Sequence, residues 1–431
     1  MTKRCRQEGH ASAYHTFTHD EVPVVRANLL SWFDTHRRCL PWRGDKPPYD
    51  NPSPGRSLPS DAYAVWVSEV MLQQTRVDTV IPYYERWMKR FPSIADLASA
   101  SMEDVNEMWA GLGYYRRARF LLEGAQWAMK ECGGLLPTSV PGLKKVPGIG
   151  EYTAGAIASI AFGQRVPLVD GNVVRVLSRV RAIAAAPNAS NALKLHWALA
   201  GDIVDYERPG DFNQALMELG ATVCTQHNPS CSACPIESIC LARQEGCQSS
   251  RPAHNRNGIT SDIEMCTVCC AEGDIPDPVG VVTRYPLKKL KQRVTEQSTR
   301  VCCVESDGRV LLVKRACKGL LAGQWAFPCW ERFGDQLDRA LTDDSALAVH
   351  RGIGPVQHIF THIRMTIDIT YARFPSDPAV TSGTDTETRW VPVADFDNAK
   401  LTTGVRKVWQ AVRRHLSARR QTSITTFVRH I

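Results

Sequence analysis

"LKKVPGIGEYTAGAIASIAF" (residues 143–162) sets a Val-Pro-Gly-Ile-Gly turn between two segments of helical character. Glycines at 148 and 150 let the backbone turn tightly and leave N–H groups pointing outward at a helix start, a nest that suits a phosphate oxygen. Lys144 and Lys145 lie beside it, so Lys144, Lys145, Gly148 and Gly150 are the candidate contacts to a phosphate. Taken alone, such a turn is a weak signal, and a plain helix–helix connection is its more common explanation. Working outward, "VDGNVVRVLSRV" (169–180) places the carboxylate of Asp170 directly before a helix, where the N-terminal dipole favours its ionised form. Upstream, "VWVSEVML" (65–72) sets Glu69 among apolar neighbours that would raise its pKa.

The chain has 431 residues, enough for two or three domains, and its 43% hydrophobic and 22% charged content is that of a globular protein. No apolar run approaches the roughly 20 residues of a membrane helix, and there is no secretory signal core, so membrane and secreted classes are not expected. The cysteines are therefore expected to be reduced, and clustered ones to bind metal. A net charge of +8 permits a polyanionic partner without requiring one.

Residues from about 22 to 224 read as helix after helix, within a domain that runs over 22–245, with apolar residues at three- and four-residue intervals in 61–91 and 101–132. Ser60–Asp61 and the Ser101–Asp104 pair signal helix starts. Residues 1–21 form an N-terminal tail and 246–290 a polar, Gly- and Pro-rich linker. From 291 to 416 the period changes to strands ("RVCCVES", "GRVLLVKR", "MTIDITYARF", "ETRWVPV") followed by a final helix, and 417–431 is a C-terminal tail. The expected fold class is a mainly α domain with a cysteine-bearing loop, plus a smaller C-terminal α+β domain.

"CTQHNPSCSACPIESIC" holds Cys224, Cys231, Cys234 and Cys240 within seventeen residues. Four thiolates suit either zinc or a 4Fe–4S cluster, so ligand type alone leaves both open. A weaker group, "EMCTVCC" (264–270), contributes Cys266, Cys269 and Cys270.

The set of motifs resembles the helix-hairpin-helix DNA glycosylases, the superfamily of endonuclease III. Within it, "LPWR" (40–43), "VSEVMLQQTRV" (67–77), "GLGYYRRAR" (111–119), "VPGIGEYTAGAI" (146–157), "VDGNVVRVLSRV" (169–180) and "FNQALMELGATVC" (212–224) look like the MutY family, in family order. The resemblance implies excision of adenine opposite 8-oxoguanine or guanine in duplex DNA. Glu69 is then the general acid on the extruded base and Asp170 the carboxylate facing the sugar cation, with Tyr152 and Asn172 on the sugar side. Tyr152 stands where lyases of the superfamily carry a Schiff-base lysine, so a monofunctional glycosylase is implied. Gln74 and Tyr114 match the wedge residues that fill the gap left by the flipped base, with Thr75 and Leu112 beside them. Trp42, Arg43 and Gln214 match the adenine pocket.

By the same resemblance the cysteine spacing is that of a 4Fe–4S cluster, and His15 with Cys266, Cys269 and Cys270 corresponds to a linker zinc site of animal members, at altered spacing. "TRVCCVESDGRVLLVKR" and "GLLAGQWAFPCW" resemble a Nudix-like domain lacking the acidic magnesium-binding helix. This domain is implied to read 8-oxoguanine through Phe360, Thr361 and His362, with Thr in place of the usual Ser. Gln421, Ile424 and Phe427 resemble the peptide that binds the PCNA sliding clamp. A monomer acting on DNA in the nucleus, the mitochondrion or both is the resulting expectation.

Overall fold

A computed structural model describes residues 12–49, 61–249, 268–269, 281–287, 294–316, 319–342, 346–360, 363–380, 386–399 and 401–428. The chain divides into two compact units, one of Met1–Met108 with Arg116–Leu290 and one of Trp109–Tyr115 with Lys291–Ile431.

The first unit is helical. Its elements are α1 (Glu21–His36), α2 (Ala62–Leu72), α3 (Val77–Arg90), α4 (Ile94–Ala98), α5 (Met102–Trp109), α6 (Arg116–Cys132), α7 (Val140–Leu143), α8 (Glu151–Ile160), α9 (Gly171–Val180), α10 (Ser190–Ile203), α11 (Pro209–Thr222) and α12 (Leu241–Ser249). Asp61 caps α2 by accepting from the Ala64 N–H, and Ser101 and Asp104 exchange capping bonds before α5, as their spacing predicts. α2 is apolar nearly all round and buried from Val65 to Met71, which makes it a core helix. The valines of α9 pack with Leu29 and Phe33 of α1 and with Phe212, Leu216 and Leu219 of α11 in one core. Tyr285 joins that core from the segment assigned to the linker by sequence, and the Leu287 N–H donates to the Ala185 carbonyl.

The second unit is a mixed sheet between two helices. Its strands are β1 (Thr295–Ser306), β2 (Arg309–Lys314), β3 (Trp325–Ala326), β4 (Ala348–His350), β5 (Val356–Ile359), β6 (Ile363–Phe374) and β7 (Thr388–Pro392), with α13 (Trp330–Thr342) and α14 (Thr403–Val428). The order is β3-β2-β1-β6-β4, with β5 on β6 and β7 on β2, and β1 and β6 run parallel over twelve residue pairs. Alternation along β1 sends Val301 and Cys303 toward α14 and Cys302 and Val304 toward α13. The sequence places a tail from residue 417; instead α14 runs on to Val428, because no Gly or Pro interrupts it.

Candidate active site

Glu69 lies in the third turn of α2 with 6% of its surface exposed. Burial pushes its carboxyl up to about 7. The Tyr152 hydroxyl, donating to Glu69 Oε2, and the Arg43 guanidinium pull the other way, while the charge of Asp170 adds to the rise. Tyr152 comes from the first turn of α8, directly after the glycine turn. Burial and the two carboxylates hold its phenol well above the ordinary value, so it stays a donor.

Asp170 caps α9. Its Oδ1 accepts the Val173 N–H at 2.7 Å and its Oδ2 accepts Asn172 Nδ2 at 2.8 Å. Sequence reasoning expects the helix N-terminus to favour the ionised form of this group. Burial works against that and raises its pKa, and the Val173 and Asn172 donors with Arg175 partly offset the desolvation. Arg175 was not singled out by sequence: its Nη2 donates to Asn172 Oδ1 (2.8 Å) and to the Gly220 carbonyl (2.6 Å), and its Nε to the Cys224 carbonyl (2.9 Å). A Cβ at Gly220 would meet Asn172 Cβ at 2.7 Å, so only glycine lets α11 come this close to the start of α9.

On the far side of the same cavity, Arg43 Nε donates to Gln214 Oε1 at 2.9 Å and its Nη2 to Glu218 Oε2 at 3.1 Å. Arg38 grips Glu218 from the opposite edge at 2.7 and 3.0 Å. Burial alone would raise Glu218, but Arg43 and Arg38 bring it down to about 2. Trp42 lies against Tyr84, edge to face, with ring centroids 5.5 Å apart. Arg38 and Glu218 were missed by sequence; the one available signal was the four-residue spacing of Gln214 and Glu218, which shares a helix face.

One cavity is lined by Trp42, Arg43, Glu69, Gln74, Thr75, Tyr152, Asp170, Asn172, Gln214 and Glu218, so the predicted acid, sugar-side and base-side residues converge. Gln74 and Tyr114 are both non-glycine residues in the left-handed region, at φ 58° and 49°. Tyr114 is half exposed, whereas Leu112 is buried; both belong to the segment grouped with the second unit. At the glycine turn only Gly148 has positive φ (83°), and a Cβ there would meet Phe120 Cβ at 2.5 Å. Gly150 caps α8 at φ −93°, so the conformational need for glycine expected at both positions holds at one. Lys144, exposed beside it, is paired with the Glu151 carboxylate, and Lys145 is exposed.

A family model described as HhH-GPD superfamily base excision DNA repair protein matches residues 67–200, and a NUDIX domain model matches 300–411. The adenine DNA glycosylase of Homo sapiens is 44% identical over 422 residues, which span 93% of this chain and 76% of that protein. The chain belongs to the adenine DNA glycosylase family. The Schizosaccharomyces pombe adenine DNA glycosylase is 36% identical across 97% of this chain and 95% of its own length. Among solved structures, a thermostable thymine-DNA glycosylase aligns with 52% of this chain and 98% of its own at 25% identity, with a TM-score of 0.45. The activity is thus hydrolytic: a DNA N-glycosylase that removes adenine in base excision repair.

Elsewhere in this adenine DNA glycosylase, Cys224, Cys231, Cys234 and Cys240 line a single cavity at the end of α11, all as free thiols. They stand around it rather than drawn together; among the described residues no three His, Cys, Asp or Glu side chains are close enough to share one ion. Arg179, 1% exposed, reaches in from α9: its Nη1 donates to Cys224 Sγ at 3.3 Å and to the Thr225 carbonyl at 2.7 Å, and its Nε to the Tyr285 carbonyl at 3.1 Å. A buried cation beside thiolates offsets their negative charge, so the donor set fits a tetrathiolate-held cluster. The i, i+4 spacing of Arg175 and Arg179 on α9 was the missed signal.

His15 is fully buried, with Nδ1 2.7 Å from the Arg181 carbonyl and Nε2 3.2 Å from Cys269 Sγ. Two of the predicted zinc ligands are therefore together; Cys266 and Cys270 lie outside the described residues. Phe360 closes the β5–β6 turn through its N–H to the Ile363 carbonyl, and its ring meets His358 edge to face at 4.5 Å. Thr361 and His362 fall outside the described residues, as do the side chains of Gln421, Ile424 and Phe427.

Proposed function

We propose that this adenine DNA glycosylase excises adenine paired with 8-oxoguanine or guanine, with Glu69 as general acid and Asp170 as the carboxylate facing the sugar, and without a lyase step. The observation that carries this reading is a buried carboxyl brought to about 7 in the same cavity as a second, hydrogen-bonded carboxyl. Near neutral pH a substantial fraction of Glu69 holds a proton, which it gives to a ring nitrogen of the extruded adenine. The C1′–N9 bond then breaks with its electron pair leaving on the base. Asp170, held by the Val173 and Asn172 donors, supplies negative charge where the sugar becomes oxocarbenium-like, and water completes the hydrolysis at C1′. Tyr152 orients Glu69 and Asn172 orients Asp170. Arg43, Gln214 and Trp42 form the base side of the cavity, which Gln74 and Thr75 also line. In this reading Gln74 with Thr75, and Tyr114 with Leu112, fill the gap in the duplex. Lys144, Lys145, Gly148 and Gly150 meet the DNA backbone.

Cys224, Cys231, Cys234 and Cys240 hold a 4Fe–4S cluster in this reading, and the cluster, when bound, ties the loop after α11 to α9. His15, Cys266, Cys269 and Cys270 hold a zinc ion. Phe360, Thr361 and His362 read the 8-oxoguanine, and Gln421, Ile424 and Phe427 bind a sliding clamp. We place the enzyme, as a monomer, in the nucleus, the mitochondrion or both. The deciding experiment is a single-turnover reaction on duplexes with A opposite 8-oxoguanine, A opposite G, or thymine glycol. Adenine release that needs alkali for strand scission is expected. Wild-type rates in Glu69→Gln, or efficient borohydride trapping of protein on DNA, overturn the assignment. For the cluster, iron analysis and thiolate-to-iron absorbance in wild type, lost in Cys240→Ser, are expected; a colourless, zinc-loaded protein refutes it.

A further inference from the structure

We infer that Arg117 is a positioning residue for base extrusion, its guanidinium holding the turn that presents Gln74. Arg117 sits in the first turn of α6 with 7% of its surface exposed. Its Nη1 donates to the carbonyls of Val70 (2.9 Å), Met71 (2.9 Å) and Gln73 (2.6 Å), and its Nη2 to Thr75 Oγ1 (3.2 Å). Those carbonyls belong to the last turn of α2 and its cap, where a helix runs out of N–H donors of its own. A buried cation there also meets the negative end of the helix dipole. The clamp brackets Gln74, gripping the residue before it by the carbonyl and the residue after it by the hydroxyl.

Gln74 itself is at φ 58°, a conformation glutamine holds only where its surroundings over-determine it. The Thr75 N–H to the Leu72 carbonyl (3.2 Å) and the Thr75 hydroxyl to the Gln73 carbonyl (3.3 Å) close the turn locally, and Arg117 is the group that ties both of its ends to another helix. Glu69 lies in the same helix, immediately before the first clamped carbonyl and one turn before the last, so the acid and the wedge are referred to one rigid element. Removing the guanidinium leaves both Glu69 and Gln74 chemically intact and frees only their mutual placement.

The inference rests on Gln74 as the wedge, and the test separates the two. Adenine release is followed at single turnover on two duplexes. One carries A opposite 8-oxoguanine in paired flanks; the other carries the same pair flanked on each side by mismatches, so that little stacking holds the adenine. Arg117→Met is expected to slow the paired substrate by about 100-fold, the scale of a misplaced positioning group, and the mismatched one by only a few-fold. Arg117→Lys, which keeps the charge but not the forked reach, should show the same split at smaller size, and carries the comparison if Arg117→Met does not fold. Combined with Gln74→Ala, Arg117→Met should add little further loss on the paired substrate. Equal slowing on both substrates, or full additivity with Gln74→Ala, overturns the role of Arg117 while leaving the wedge in place. If Gln74→Ala alone leaves the paired rate unchanged, the wedge itself is overturned and the inference falls with it.

Discussion

Replacing Tyr152 by phenylalanine removes one hydroxyl from a closed site and tests how the acid is tuned. The hydroxyl donates to Glu69 Oε2 and favours its charged form. A hydrogen bond to a charged group contributes about 1.5–3 kcal/mol, and about 1.4 kcal/mol moves a pKa by one unit. Without it, Glu69 should rise about 1–2 units above its value near 7. The acid works only when protonated, so the wild-type rate falls as pH climbs through about 7. In Tyr152→Phe the same fall should come about 1–2 pH units later, whatever happens to the plateau rate. Tyr152 cannot produce that limb itself, because burial holds its own ionisation far above this range. The assay is single-turnover adenine release across a pH series spanning neutrality, with Glu69→Gln as the control that abolishes the limb. A descending limb that stays in place, or moves to lower pH, refutes the tuning.

Three further outcomes follow from the same site. Folding shifts Glu69 from 4.5 to about 7, so its contribution to stability is present below the unfolded value and lost as pH rises through the folded one. Glu69→Gln should therefore be more stable than wild type at mildly alkaline pH, by roughly 3 kcal/mol in denaturant melts, with the gain vanishing toward pH 4–5. Glu218 is the opposite case: held near 2 by Arg43 and Arg38, it stabilises above its unfolded value, and that stability is lost as pH falls toward 2. Glu218→Ala strands two guanidiniums and should cost about 3–5 kcal/mol in neutral denaturant melts. Gly220→Ala should drive a methyl into Asn172, costing about 1–3 kcal/mol of stability and slowing adenine release beyond what the melt predicts.

The carboxyl pair was legible because each member sits in a stretch that states its environment: an apolar helix around Glu69, a turn before a helix for Asp170. The capping residues and the alternation in β1 were legible for the same local reason. What escaped were contacts between elements far apart in sequence. The four-residue spacings put Arg175 with Arg179, and Gln214 with Glu218, on shared helix faces, but they do not say that these side chains reach a carbonyl, a thiol or two guanidiniums elsewhere in the chain. Nor does the glycine count reveal which glycine needs its conformation; that depended on Phe120 crowding Gly148 and open space around Gly150. The short strands β4 and β5 carry too few residues for alternation to show, and their pairing with β6 defines them.

The burial of Tyr285 redraws the smallest piece of this chain that can stand as an intact catalytic body. Composition suggests a cut after residue 245, at the end of the helical run. A fragment ending there would open a hole the size of a tyrosine in the core around α9 and strip the Arg179 Nε of its carbonyl acceptor, beside the Cys224 sulfur. The carbonyl of Ala185 would lose the Leu287 amide as well. A fragment meant to retain the cysteine-bearing loop in its native setting has to extend past Leu287, 38 residues beyond Ser249, the last residue of α12.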